Sequence, residues 1–205
     1  MLVIADTGER VIPELMKSTN TMLLEHTARY YFSTPYVSGR VLDMACGAGF
    51  GTHMVAKLCM KHMEGIVGAD RDPEIIEYAR ATYYHPSSSF VTIDVMDQDI
   101  VSKLGLFDTI LSFETIEHVE DDRLFIQQLY SLLKPGGFLV ISTPFGKGRG
   151  VPCGQPFHYH QLSREEFESS FTMFQEVEMY YQRGVTIEPP RRDVYYPIGV
   201  AVCKK

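Results

Sequence analysis

Residues 41–52 read Val41-Leu42-Asp43-Met44-Ala45-Cys46-Gly47-Ala48-Gly49-Phe50-Gly51-Thr52. A short apolar run, Arg40 to Ala45, stops at closely spaced glycines, and a helical pattern runs from about Thr52 to His62. A glycine-rich turn between strand and helix lets a ligand touch backbone N–H groups at the helix start. The spacing is G-x-G-x-G, and Thr52 stands where a dinucleotide site wants a third glycine. Asp43 precedes the glycines on the strand; an acid there repels a pyrophosphate and can bind an ammonium group.

Moving outward, strands and helices alternate. An amphipathic helix fits Asn20 to Tyr36, with Leu23, Leu24, Thr27, Tyr30 and Tyr31 at helical spacing. Gly65 to Ala69 is a strand, and Pro73 to Tyr84 a helix that Asp72 can cap. Strands follow at Ser89–Ile93 and Phe107–Phe113, then a helix from Asp121 or Asp122 to Leu133. Lys134-Pro135-Gly136-Gly137 stops that helix, and Phe138 to Ser142 is a fifth strand. Residues 144–161 form a long loop, Ser163-Arg164-Glu165-Glu166 opens a helix to about Thr172, and Phe174–Gln182 and Tyr195–Lys204 are strands. The alternation predicts one α/β domain: a mostly parallel sheet with helices on both faces and an antiparallel C-terminal edge.

The chain has 205 residues, of which 45% are hydrophobic and 22% charged, which excludes a disordered or fibrous protein. With 19 basic against 26 acidic residues the net charge is −7, which argues against a binder of bulk nucleic acid. From Asp94 to Asp122 nine carboxylates face one Lys103, a local charge of −8. That window is either a solvated surface or a site for a cationic ligand. Cys46, Cys59, Cys153 and Cys203 form no C-x-x-C pair. The first ten residues lack a signal-peptide pattern and no run of about 18 apolar residues exists, so no membrane span and a cytoplasmic location are expected.

Open parallel sheets bind ligands outside the carboxyl ends of their strands. Asp70 ends the second strand, 19 residues after Gly51, where its carboxylate can accept from both hydroxyls of a ribose. Arg71 can lie against an adenine face. Asp94 ends the third strand and can accept from an adenine amino group, with the Val95 N–H donating to a ring nitrogen.

These motifs resemble the class I S-adenosylmethionine-dependent methyltransferases of the ubiquinone-biosynthesis type. The likeness rests on VLDMACGAGFG (41–51), IVGAD (66–70), FDTILSFETIEHVED (107–121) and LLKPGGFLVISTP (132–144), with Thr7-Gly8-Glu9-Arg10 and Glu25-His26-Thr27-Ala28-Arg29-Tyr30 as in a subgroup. It implies a Rossmann-like fold over residues 1–205, with residues 1–38 a helical extension of the pocket. It further implies S-adenosylmethionine as cofactor and methyl transfer to a small-molecule acceptor. Asp43 and the turn Ala45, Cys46, Gly47 and Gly49 are then expected to hold the methionine part, Arg29 its carboxylate and Asp70 the ribose. Arg71, Asp94 and Val95 are expected at the adenine, and Phe113 and Glu114 near the sulfonium. Arg71-Asp72-Pro73 departs from the family, which more often has a small or apolar residue after the acid.

His118, His158 and His160 are candidate general bases, since histidine titrates near neutral pH. His158-Tyr159-His160 with Cys153 upstream resembles a metal cluster, because residues at i and i+2 of an extended segment share a side. No nearby carboxylate completes that set, so no metal is expected. Two competing readings are a non-catalytic S-adenosylmethionine-binding module and an NAD-dependent dehydrogenase. Thr52 and Asp43 argue against the latter. The acceptor and the oligomeric state are not legible in the sequence.

Overall fold

The computed structural model describes residues 10–205. Thr7, Gly8 and Glu9 of the opening motif lie outside the described residues. After a 3-10 turn at Pro13–Leu15 come α1 (Thr21–Ser33), β1 (Gly39–Met44), α2 (Phe50–Cys59), β2 (Met63–Asp70), α3 (Pro73–Thr82) and β3 (Ser88–Thr92). Then follow α4 (Ile100–Leu104), β4 (Phe107–Phe113), α5 (Asp122–Leu132), β5 (Leu133–Pro144), α6 (Arg164–Glu168), β6 (Glu176–Arg183), β7 (Thr186–Glu188) and β8 (Ile198–Lys204). One eight-stranded sheet runs β3-β2-β1-β4-β5-β8-β6-β7. The first five strands are parallel to their neighbours, and β8, β6 and β7 pair antiparallel, as the alternation predicted.

Strand parity builds both halves of the core. Val41, Leu111, Val140 and Val200 bury one face against Tyr30 of α1 and Val55 and Ala56 of α2. Leu42, Ile110, Leu139 and Ala201 bury the other against Phe125, Ile126 and Leu129 of α5. Side chains that alternate across a strand require this division.

The helix starts are set by local side chains. Asn20 accepts from the Leu23 N–H at 3.1 Å, Asp72 from the Glu74 N–H at 3.0 Å and Asp121 from the Leu124 N–H at 2.9 Å. Ser163 and Glu166 close a reciprocal capping box. Several boundaries differ from expectation. α1 ends at Ser33 and gives way to a 3-10 turn at Thr34–Tyr36, because Pro35 cannot continue the ladder. β5 begins at Leu133, with the Pro-Gly-Gly segment absorbed as a register shift against β4. The short α4 and β7 went unforeseen. Among the described residues no helix is long and apolar enough to cross a membrane.

Candidate active site

The strand order reverses between β1 and β4, since β2 and β3 are added on one side of β1 and β4 and β5 on the other. The carboxyl ends of the strands at this switch point open into a cavity of about 1050 Å³. Ala45, Cys46 and Gly47 line it from the turn after β1, Asp70 and Arg71 from the end of β2, and Asp94 and Val95 from the segment after β3. Phe113 and Glu114 line it from β4, Arg29 from α1, and His118 and His158 from the far wall. α1 is thus a wall of the cavity. Ala45 (φ 60°) and Glu114 (φ 50°) are two of the three non-glycine residues with left-handed backbone among the described residues. Both follow strands at the switch point. Such strain clusters where a site needs it.

Asp70 accepts from the N–H groups of Gly47 and Asp72, both at 3.0 Å. A carboxylate has about four lone-pair sites, so two backbone bonds fix its orientation and leave capacity toward the cavity. Asp94 accepts from the Met96 N–H at 2.9 Å in the same manner. Ser142 donates to Glu114 at 2.7 Å.

Arg29 is 1% exposed. Its guanidinium donates to Gln182 Oε1 at 2.7 Å and comes within 2.8 Å of His26 Nδ1, a nitrogen that also lies 2.9 Å from the Met22 carbonyl. Both partners are neutral, since burial first and Arg29 second press the His26 pKa down to about 3. The Nε of Arg29 has no partner, and among the described residues no carboxylate forms an ion pair with it. Arg29 lines the cavity, and its charge acts on the carboxyls of Glu25 and Glu117 without pairing directly with either.

Three expected site residues sit elsewhere. Asp43 does not line the cavity. It shares strand parity with Val41, so its side chain lies beneath the turn, 1% exposed, where Thr52 donates to it at 2.6 Å and Tyr30 at 3.1 Å. Gly49 (φ 88°) also lies behind the turn, packed so closely that an added Cβ would stand 2.7 Å from Phe90. His160 is buried off the cavity with an unpartnered Nε2. The chain bends at Tyr159, so that His158 lines the cavity while His160 is buried away from it.

Burial pushes Asp43 up to about 7, against the donated bonds of Thr52 and Tyr30. A carboxyl whose pKa is raised by folding contributes its full stability below the unfolded value near 3.8 and loses it as pH rises toward 7. His26, depressed by folding, acts in the opposite sense over part of this range. The difference between variant and parent therefore isolates Asp43. Asp43→Asn should gain stability relative to the parent between pH 4 and 7, on the order of a few kcal/mol. Urea melts across that range test it, and a difference independent of pH would contradict the assignment.

The sequence reading missed Glu117, which is 2% exposed and lines the cavity beside His118. It brings to the loop histidines the carboxylate that the sequence reading lacked. Of the acidic window, Asp94, Glu114, Glu117, Glu120 and Asp121 line the cavity, and others are spent on structure. Asp97, Asp108 and Asp122 are spent on Lys103, Lys134 and Arg149, and Asp121 caps α5.

A methyltransferase-domain family profile matches residues 37–185, and the chain belongs to that family. A probable S-adenosylmethionine-dependent methyltransferase of Mycobacterium tuberculosis is 30% identical over 176 residues, covering 82% of this chain and 59% of that protein. A ubiquinone biosynthesis O-methyltransferase of Cereibacter sphaeroides is 36% identical over 112 residues, 53% of this chain and 42% of that one. The chain thus spans about 60% or less of the length of these relatives. The N-methyltransferase NodS of Bradyrhizobium japonicum, solved with S-adenosyl-L-homocysteine, shares the fold with a TM-score of 0.63 at 21% identity, covering 92% of this chain and 89% of that one.

Proposed function

We propose that this chain transfers a methyl group from S-adenosylmethionine to a small hydroxyl-bearing acceptor. The observation that carries the reading is the single cavity. It joins the glycine turn, two strand-end acids and the buried Arg29 on one side to His118 and His158 on the other. The donor set fits the cofactor. Arg29 would take the amino-acid carboxylate, the turn from Ala45 to Gly47 the methionine backbone, and Asp70 the ribose. Asp94, Val95 and Arg71 would meet the adenine. When bound, the cofactor supplies an electrophilic methyl on a sulfonium.

The chain's own work is to hold an acceptor oxygen in line, exclude water and receive a proton. Phe157 and Tyr159, both more than half exposed, line the cavity on the loop side and offer apolar cover. The Nδ1–H of His118 donates to the Phe157 carbonyl at 3.0 Å, which leaves the Nε2 lone pair as the basic position. α1 belongs to this catalytic unit, because it supplies Arg29. The four unpaired cysteines support a reducing, cytoplasmic setting, and the acidic charge supports a small-molecule rather than a nucleic-acid acceptor.

The test is calorimetry with S-adenosylmethionine, S-adenosylhomocysteine and NAD, followed by an acceptor screen that monitors S-adenosylhomocysteine. Binding of the first two and not of NAD is expected, and failure of both sulfur ligands to bind would overturn the reading. Asp70→Ala should weaken S-adenosylmethionine about 30-fold or more, since two charge-assisted hydrogen bonds are lost. Unchanged affinity in the folded variant would remove Asp70 from the site.

A further inference from the structure

We propose that Gln182 is the positioning residue for the cofactor carboxylate: from the antiparallel edge of the sheet, its neutral amide fixes the Arg29 guanidinium in the cavity wall and leaves the charge of that group for the ligand. The inference rests on the methyl-transfer reading, in which Arg29 meets the amino-acid end of S-adenosylmethionine. Gln182 lies on β6, 153 positions from Arg29 in the sequence. It pairs with Ile198 of β8 on one side and Ile187 of β7 on the other. It shares strand parity with Tyr180, whose ring meets Phe32 of α1 edge to face with centroids 4.9 Å apart. That face of β6 is therefore turned toward α1, and Gln182 meets Arg29 there. Gln182 does not itself line the cavity, so it acts on a ligand only through Arg29.

The Gln182 side chain is fully buried, and its hydrogen bonds settle which way the amide points. Its Nε2 donates to the Glu25 carbonyl of α1 at 3.0 Å and to the Gly184 carbonyl of the β6–β7 turn at 2.7 Å. Both amide hydrogens are thereby used. Reversing the amide would set its oxygen against two carbonyl oxygens. Oε1 therefore faces Arg29 and accepts from its Nη1 at 2.7 Å. A buried amide with every group bonded has one orientation, and the guanidinium plane inherits it.

The neutrality of this anchor supplies a second argument. The Nε of Arg29 has no partner, and among the described residues no carboxylate pairs with the guanidinium directly. A carboxylate at position 182 would give the guanidinium a counter-charge inside the protein and oppose the arrival of a second one. An amide of the same size orients the group and leaves its charge to attract an anion. The planar fork then meets a carboxylate in a geometry fixed beforehand, which lowers the ordering cost of binding. The antiparallel edge thus takes part in holding the cofactor without touching it.

The experiment compares two ligands by calorimetry on the parent and its variants. They are S-adenosylhomocysteine and methylthioadenosine, which keeps the adenosine and the thioether but lacks the amino-acid carboxylate. Gln182→Met should weaken S-adenosylhomocysteine about 10-fold or more and leave methylthioadenosine within about 2-fold. Gln182→Glu keeps an oxygen on the guanidinium but adds the counter-charge. It should weaken S-adenosylhomocysteine about 100-fold, with the same sparing of methylthioadenosine. In an Arg29→Met background neither substitution should move the ratio of the two affinities, because the group they act through is gone. Circular dichroism identifies folded variants, and Gln182→Glu carries the test if Gln182→Met does not fold. Equal loss of both ligands would make Gln182 a structural residue and overturn the inference, as would a ratio that still shifts without Arg29. A parent that binds neither ligand would sink the methyl-transfer reading and this inference with it. A parent that binds both, with a ratio the folded variants leave unmoved, would sink the inference alone.

Discussion

Arg29→Met should weaken S-adenosylmethionine by about 100-fold or more, while the ligand-free protein melts within about 1 kcal/mol of the parent. The two halves of this result have separate causes. Truncating one member of a buried charge pair costs about 2–5 kcal/mol, and the pair here would be the guanidinium with the cofactor carboxylate. In the ligand-free chain that pair does not exist. Removing Arg29 sacrifices its hydrogen bond to Gln182 but also removes a buried charge that no carboxylate pairs with directly among the described residues. These effects oppose one another, and an apolar side chain of similar length fills the space. Arg29→Lys is not a mild control, since one ammonium cannot reproduce a planar fork that meets Gln182 and His26 together. Calorimetry and denaturant melts on the same samples decide the matter. A large loss of stability with intact cofactor affinity would make Arg29 a structural residue.

Much of the architecture could be read because periodicity is local. The short apolar runs of β1, β2 and β4 end in glycine or acidic residues, and Asp72, Asp121 and Ser163 announce their helices through their own side chains. α4 is only five residues and β7 only three, so neither spans enough periods to stand out. The strand-end acids Asp70 and Asp94 were legible as cavity residues because the fold class alone locates that end of a parallel sheet.

The errors came from side-chain direction. Asp43 has the same parity as Val41, and Val41 faces α1 and α2, so the signal that Asp43 points beneath the turn was present in the strand pattern. His160 was paired with His158 on the assumption of an extended segment, which the bend at Tyr159 breaks. Glu117 stood in plain view between Glu114 and His118. Its importance depends on residues 144–161 folding back over the 3-10 turn, and no local pattern encodes that contact. Gly49 shows the same limit. A positive φ and a close approach to Phe90 and Ala79 make it a packing residue, so a side chain there disrupts the core rather than only blocking a ligand.

Gly51→Ala is therefore the glycine substitution with the largest expected loss, about 3 kcal/mol or more of stability. An added Cβ at this helical position would stand 1.9 Å from Cζ of Tyr30 and 2.4 Å from its hydroxyl oxygen. The ring has no room to retreat. It is 5% exposed and packs edge to face on Phe50 and Phe113, with centroids 5.5 and 5.0 Å away. Moving it also breaks its bonds to Asp43, which leaves a buried carboxyl with Thr52 as its remaining side-chain partner. Gly47→Ala offers the contrast. Nothing lies within 4 Å of its added Cβ, so only the left-handed backbone at φ 52° is penalised, at roughly 1–2 kcal/mol. Denaturant melts should thus rank Gly51→Ala well below Gly47→Ala. The double variant Gly51→Ala with Tyr30→Leu should lose less than the sum of its parts, because the shorter side chain vacates the space the methyl needs. Strict additivity, or a Gly51→Ala protein as stable as the parent, would show that Tyr30 does not lie against α2 in solution.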